Sequence, residues 1–285
     1  MNTATRTSAR KLLPGALALA LCAALPAWAQ DAAPAAPAAS AADDADDADD
    51  NAEETVLRFD NAITPEARAA MDRMKATMNG LQRFTLTAEI SRDETLSYGY
   101  KLQHNEFVDM DVDRPSKLKV DVDGDLKNRT YYYDGANLTV VAKDLNVYAQ
   151  KPLPGTTKDL VESLIERGFD MPLIDILYQG QAGDLLDDVR VGIVVGDSTV
   201  QGEAVTHLAF RQPDVDWQLW VSKSSGLPRK IVITTRYSVG DPQFQAVLHW
   251  DTSPKFAASN FNFVPAKGQT KIAMQKDEVA SGGAK

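Results

Sequence analysis

The chain has 285 residues, a formal net charge of −10 and 44% hydrophobic residues, with one cysteine and three histidines. An acidic chain argues against nucleic-acid binding, because counterion release from phosphates requires basic patches. A single thiol excludes an intramolecular disulfide framework and a cysteine-rich metal site.

Residues 1–29 have the form of a secretory signal peptide. They combine a basic start, an apolar run over 12–25 and an Ala-x-Ala cleavage site, Ala27-Trp28-Ala29. The apolar run is too short and too interrupted for a comfortable membrane span. We therefore expect cleavage near Ala29, a mature protein in the periplasm and no membrane-spanning segment.

Cys22 supports an alternative to simple cleavage. Leu19-Ala20-Leu21 precedes it and resembles a lipoprotein cleavage box. Such a box has a small residue directly before the cysteine, and Leu21 is large. A lipoprotein anchored at Cys22 is therefore the alternative. If the leader is removed, the mature chain has no thiol for disulfides, nucleophilic catalysis or metal binding.

Residues 30–60 are predicted to form a disordered linker rich in Ala, Pro and Asp. Nine acidic residues fall within 31–54, and such a segment cannot bury enough apolar surface to order itself. We interpret it as a solvated spacer. The alternative is a contact with calcium or a basic partner, although the repeats lack the spaced ligands of a calcium loop. One folded domain is expected over 61–275, followed by a flexible tail over 276–285.

The folded domain is predicted to begin with a helix. Thr64-Pro65-Glu66 places Thr at the N-cap and Pro at the first helical position. Apolar residues recur at helical spacing up to Gly80, which predicts a helix over 64–81 with a single apolar stripe. The stripe consists of Ala67, Ala70, Met71, Met74, Met78 and Leu81.

Alternating apolar and polar residues predict strands from Phe84 to Pro154. Asp123-Gly124 and Asp134-Gly135 have the composition of hairpin turns between them. Such short connections predict an antiparallel meander rather than a parallel sheet.

A helical segment is predicted to interrupt the strands. Thr156 and Asp159 fit a capping box, which predicts a helix over 157–168. Pro172 begins a second short helix over 172–178. This helix is apolar nearly all round, so it must be covered on more than one side.

Five more strands follow. In the third of them, Trp217 and Leu219 share one face and Trp220 lies on the other. The order of elements predicts an α+β fold, a single large curved antiparallel β-sheet (a half-barrel) with helices on its concave face. The five strands are predicted over Val189 to Val195, Ala204 to Phe210, Asp216 to Ser222, Arg229 to Tyr237 and Phe244 to Trp250.

Three motifs occur in order within residues 64–272. They are Arg114-Pro115 before a strand, Tyr133-Asp134-Gly135, and the closing run Phe261-Asn262-Phe263-Val264-Pro265-Ala266-Lys267-Gly268. With the early helix and the leader, they resemble the periplasmic lipoprotein carriers of the LolA/LolB type. Two longer runs, 128–135 and 207–220, more closely resemble an uncharacterised family of predicted periplasmic proteins in the same superfamily. The resemblance implies a sheet covered by a helical lid. Members of this superfamily hold acyl chains or lipid-modified partners between the sheet and the lid.

The main hypothesis is a non-enzymatic periplasmic binding or carrier protein. It would hold a lipid or an acylated partner between sheet and lid, as a monomer and without a cofactor. The alternative for the proposed lining residues is plain core packing. The residues expected to line the cavity and lid are Met71, Met74, Met78, Leu160, Leu164, Leu173, Ile174, Leu177, Tyr178, Phe210, Trp217 and Leu219.

The rival hypothesis is a structural or sensory module with a self-filled core that binds protein partners. No Gly-x-Ser-x-Gly elbow or phosphate-binding glycine loop is present in the sequence. The three histidines are far apart, so no metal-ligating or catalytic residue is assigned. Arg211 and Asp216 are expected to pair across the turn at Pro213.

Overall fold

The computed structural model describes residues 62–167, 171–177 and 184–274, all within the unit Val56–Lys285. Their strands form one twelve-stranded sheet in the order β12-β6-β5-β4-β3-β2-β1-β11-β10-β9-β8-β7. Neighbouring strands are antiparallel except β6 and β12, which are parallel. The strands are β1 Arg83–Thr95, β2 Lys101–Asp113, β3 Lys117–Gly124, β4 Arg129–Tyr133, β5 Asn137–Ala142, β6 Val147–Pro152, β7 Val191–Val200, β8 Glu203–Arg211, β9 Val215–Ser222, β10 Pro228–Thr235, β11 Gln243–Asp251 and β12 Thr270–Ile272.

Three α-helices accompany the sheet in the described ranges: α1 (Pro65–Gly80), α2 (Thr157–Glu166) and α3 (Ile174–Leu177). The α+β class with one large, mainly antiparallel sheet is therefore confirmed. The predicted signal peptide, the linker over 30–60 and the tail over 276–285 lie outside the described residues.

The first two helices begin where the sequence predicts. The side chain of Thr64 accepts a hydrogen bond from the backbone N–H of Ala67, and Thr156 and Asp159 form both bonds of a capping box. The third helix begins later than the predicted start at Pro172. Leu173 has a φ of 62°, which cannot continue a right-handed helix, so α3 begins only at Ile174.

One predicted turn is wrong. Asp123 and Gly124 belong to β3, where they pair with Phe107 and Glu106 of β2, and the connection to β4 is 125–128. Gly124 is needed for space rather than for a turn, because a Cβ atom there would lie 2.6 Å from the Cγ atom of Glu106. The second predicted turn is confirmed, since Gly135 has a φ of 90° between β4 and β5.

One face of the sheet carries the hydrophobic core, and we call it the inner face. Cross-strand pairing aligns Phe84, Val112, Leu118 and Tyr133 in a row on this face. These side chains are buried in one cluster with the apolar stripe of α1. Each large apolar side chain removed from water contributes about 1.5–3 kcal/mol, so this shared burial holds the helices to the sheet.

Helix α1 begins at the β7 edge of the sheet. The backbone N–H of Thr64 donates to the carbonyl of Gly192 at 2.8 Å, and Ile63 forms a bridge with the same residue. A Cβ atom at Gly192 would lie 2.8 Å from the ring of Phe210, so only glycine allows this close approach without displacing a core side chain.

The chain after β11 crosses the outer face of the sheet, where a 3₁₀ helix spans Ala258–Phe261. The side-chain amide of Asn260 donates to Asp111 at 2.6 Å. The ring of Phe263 lies 5.6 Å from that of Tyr132 and 4.8 Å from that of Tyr148. The closing run that resembles the carrier family thus positions β12 beside β6.

The capping box of α2 gives a stability prediction. Thr156→Ala should lower the free energy of unfolding by about 1 kcal/mol, because two hydrogen bonds at the helix start are lost. Urea denaturation would measure the change. Lys158→Ala is the control on the same helix, since its 3.6 Å ion pair with Glu162 is exposed and should be worth less than about 0.5 kcal/mol. Equal effects of the two variants would contradict the capping role.

Candidate functional site

Eleven of the twelve residues predicted to line the cavity and lid lie in the described part of the chain, and all are at most 7% exposed. They belong to one cluster of packed side chains. Their role in holding a ligand remains a prediction. Tyr178 lies outside the described residues. The eleven are Met71, Met74, Met78, Leu160, Leu164, Leu173, Ile174, Leu177, Phe210, Trp217 and Leu219.

The two tryptophans of β9 have different environments. The register places Trp217 on the inner face, where its ring stacks on that of Phe210 at 4.1 Å. Trp220 lies on the outer face, stacked on His207 at 4.2 Å, with the Nζ atom of Lys230 5.0 Å from its centroid. Trp217 is thus part of the core, and Trp220 contributes to an outer surface.

The expected pairing of Arg211 with Asp216 is confirmed. The guanidinium donates two hydrogen bonds of 2.7 Å to the two carboxylate oxygens. Hydrogen bonding from Arg211 holds the pKa of Asp216 below its usual value. This bidentate pair closes the β8–β9 hairpin on the outer face.

Arg114, directly after β2, connects the helices to the sheet. Its Nη1 atom donates to the carbonyls of Met78 and Leu81 at 2.8 Å each, at the end of α1. Its Nη2 atom donates to the carbonyl of Leu177 in α3 at 3.3 Å. The guanidinium also lies 5.5 Å from the ring centroid of Phe84. One cation therefore satisfies carbonyls at the C-terminal ends of two helices, where positive charge is favoured.

A cavity of about 460 Å³ lies at the edge formed by β5, β6 and β12, and we call it the edge groove. This volume falls within the range of about 300–1,000 Å³ that is typical of small-molecule sites. Its lining residues are Arg129, Val140, Ala142, Leu145, Val147, Tyr148, Ala149, Ile272, Ala273 and Met274.

Strand pairing explains why the edge groove is apolar and open. Val140 pairs with Ala149, and Ala142 pairs with Val147, so small and branched side chains alternate on the inner face. Because β12 pairs in parallel with β6, Ile272 lies beside Ala149 and extends this face by one strand. Ile272 is nevertheless 47% exposed, although its side chain is apolar. Val140 also packs against the main core, which makes the edge groove continuous with it.

Arg129 is the one charged side chain among the described residues that line the edge groove. It begins β4 and pairs with Val122 and Ala142, both on the inner face. A guanidinium next to an apolar wall suits an anionic group attached to an acyl chain, because its planar donors match carboxylate and phosphate oxygens.

The edge groove was not predicted from the sequence. The strands β5 and β6 fall within the predicted meander, but the alternation alone does not say which face is covered by helices. Arg129 lies within the run 128–135 that carries the family resemblance, but nothing in that run marked it as part of a groove.

The described residues contain no group of three or more His, Cys, Asp or Glu side chains placed to hold a metal ion. His104 is hydrogen-bonded to Glu94 at 2.8 Å and His207 to Gln218 at 3.0 Å. None of the helices in the described ranges has both the length and the apolar content that a membrane crossing requires.

A family model matches residues 67–275. The chain belongs to the DUF2092 family of predicted periplasmic proteins. The resemblance carried by runs 128–135 and 207–220 is thereby confirmed. No functionally curated protein matches the sequence.

Solved structures similar to this DUF2092 protein include three from different bacteria. An uncharacterized conserved protein from Thermus thermophilus has 10% identity and a TM-score of 0.41, covering 73% of this chain and 99% of that one. Lipoprotein LppX from Mycobacterium tuberculosis has 14% identity and a TM-score of 0.42, covering 67% and 98%. A LolA superfamily protein from Nitrosomonas europaea has 10% identity and a TM-score of 0.31, covering 71% and 99%.

Arg114→Lys should loosen the helices without disrupting the sheet, because an ammonium cannot reach carbonyls of both helices with a planar fork. We expect faster amide hydrogen exchange in α3 and in the last turn of α1, with little change in β1 and β2. The free energy of unfolding should fall by about 1–3 kcal/mol.

Arg83→Lys is the matched control for this measurement. Arg83 begins β1 close to the end of α1, but its side chain lies on the outer face, where it donates to the carbonyl of Phe256 at 3.1 Å and lies 4.6 Å from that ring. Equal protection of α3 in wild type and Arg114→Lys would contradict the connecting role of Arg114.

Proposed function

We propose that this protein is a periplasmic, non-enzymatic binding or carrier protein that holds the acyl chain of a lipid or an acylated partner on the inner face of its sheet. The edge groove is the observation that carries this proposal. It is apolar, of ligand size and continuous with the core beneath the helices. The N-terminal leader and the description of the family support export to the periplasm.

Binding would be driven by burial of the acyl chain. Each methylene that leaves water contributes about 0.8 kcal/mol, so a chain needs several methylenes in contact with the wall to offset the entropy of association. Val140, Val147 and Ile272 would provide this contact. Arg129 would hold an anionic carboxylate or phosphate at the same end of the chain.

The buried lining residues would take part only if the helices move. A short acyl chain can lie in the edge groove alone, whereas a long chain would have to displace α3 from the inner face. Since Arg114 contacts the carbonyl of Leu177, release of this hydrogen bond would precede such a movement. In this proposal, Leu173, Ile174 and Leu177 form the lid.

The rival function, a module with a self-filled core that binds protein partners, is favoured by one observation. All eleven described residues predicted for the cavity are already packed in one buried cluster. In that case the outer surface around Trp220 and Lys230 would be the part that contacts a partner.

Ala142→Trp tests the edge groove directly. The indole would fill the space beside Val147, so binding of a fluorescent fatty acid should weaken by at least about tenfold, since several methylene contacts are lost. Fluorescence titration would measure the affinity, and circular dichroism would confirm that the fold is kept.

Ala209→Trp is the matched control, because Ala209 is also a half-buried alanine in a strand but lies on the outer face. It should leave the affinity unchanged. Wild-type affinity in Ala142→Trp, or equal loss in both variants, would contradict binding in the edge groove.

A further inference from the structure

An ion pair lies at the end of the apolar inner face, where the inward-facing residues of β1 and β2 become polar. Glu106 on β2 continues the buried row of Val108, Met110 and Val112, and its side chain is only 2% exposed. Arg92 on β1 donates to its Oε1 atom at 2.7 Å. Arg92 lies on the same face, because Glu106 pairs with Ile90, two residues before Arg92 in the strand.

Each member of the pair retains one buried atom without a partner. The Oε2 atom of Glu106 and the Nε atom of Arg92 have no hydrogen-bond partner among the described residues. His104, which faces Arg92 across the strands, is bonded instead to Glu94. Leaving such a group unsatisfied costs about 1–3 kcal/mol, and more when it is charged.

The surrounding chain gives the Glu106 side chain room on this face. Gly124, its partner on β3, would bring a Cβ atom to within 2.6 Å of the Cγ atom of Glu106. The pair lies far from the helix ends held by Arg114, since Arg92 is eight steps along β1 from Phe84, about 26 Å at roughly 3.3 Å per step.

An ion pair of this kind need not add to the stability of the fold. Replacing a buried ion pair with apolar residues of similar volume is often neutral or stabilising, whereas removing one partner is costly. An ion pair with two unsatisfied atoms at the end of the apolar inner face is therefore a candidate for ligand recognition.

We propose that Arg92 and Glu106 form a polar subsite that binds a hydroxyl group of the ligand's headgroup. A hydroxyl can donate to the Oε2 atom of Glu106 and accept from the Nε atom of Arg92, so it satisfies both atoms at once. The pair is neutral overall, which gives no Coulombic preference for a charged headgroup. This inference rests on the proposed function and narrows the ligand to amphiphiles whose headgroup carries a hydroxyl, such as acylglycerols. The hydroxyl is recognised whether or not the lipid also carries an anionic group for Arg129.

The test compares two lipids that share an oleoyl chain, 1-monoolein with its two hydroxyls and methyl oleate with none. Each would compete with a fluorescent fatty acid for the full mature protein. The ratio of the two affinities would be measured in wild type and in the double variant Arg92→Leu/Glu106→Leu. We expect the preference for monoolein over methyl oleate to be at least about tenfold larger in wild type than in the double variant, because the double variant loses hydrogen bonds to charged groups.

Two further variants control for the possibility that the double variant changes the ratio only by disturbing the fold. Gly124→Ala retains both charges but forces Glu106 to move, and it should lower the ratio in the same direction. Arg211→Leu/Asp216→Leu removes an ion pair from the outer face and should leave the ratio unchanged.

The outcomes separate this inference from the proposed function. If both lipids bind and the ratio is the same in wild type and the Arg92/Glu106 double variant, the subsite is overturned while the binding function stands. If neither lipid nor the fluorescent fatty acid binds wild type, the proposed function is overturned and the subsite with it.

Discussion

A wide sheet has one apolar face that must be covered, and this requirement governs the rest of the structure. Twelve strands at about 4.8 Å spacing extend roughly 53 Å across the sheet. Helix α1 has 16 residues, and at about 1.5 Å per residue it covers about 24 Å. It begins at the β7 edge and ends near Arg114, so α1 alone cannot cover the whole inner face. The edge groove lies towards the opposite edge, at β5, β6 and β12.

Arg114 determines how the helices meet this face. Its guanidinium bonds the carbonyls at the end of α1 and the carbonyl of Leu177, so this one side chain joins two helices that the shared core also holds to the sheet. In the proposed function, such a connection would hold the lid closed and could be broken without disturbing the strand ladder. The inner face of the sheet therefore has two parts. One is the core, which the helices cover, and the other is the edge groove, which is more exposed.

Structural features that depend on neighbouring residues were predicted from the sequence. Features that depend on pairing between strands distant in the sequence were missed. The capping box at Thr156 and the methionine stripe of α1 are local patterns, and both were predicted correctly. The inner position of Trp217 could not be chosen over that of Trp220, because only the register with β8 and β10 decides it. Glycine after aspartate is typical of turns, whereas Gly124 lies in a strand and gives space to Glu106. The wall at Ile272 depends on pairing with a strand more than a hundred residues earlier, for which the local sequence contains no signal.

Lipid mass spectrometry can establish whether the inner face of the sheet holds an acyl chain. The mature protein would be purified from periplasm without detergent, extracted and compared with Ala142→Trp prepared in the same way. Binding in the edge groove predicts a stoichiometric acyl lipid in the wild type and a marked loss of it from the folded variant. Wild-type protein free of lipid, or equal lipid in both proteins, would rule out this binding mode and favour the module with a self-filled core.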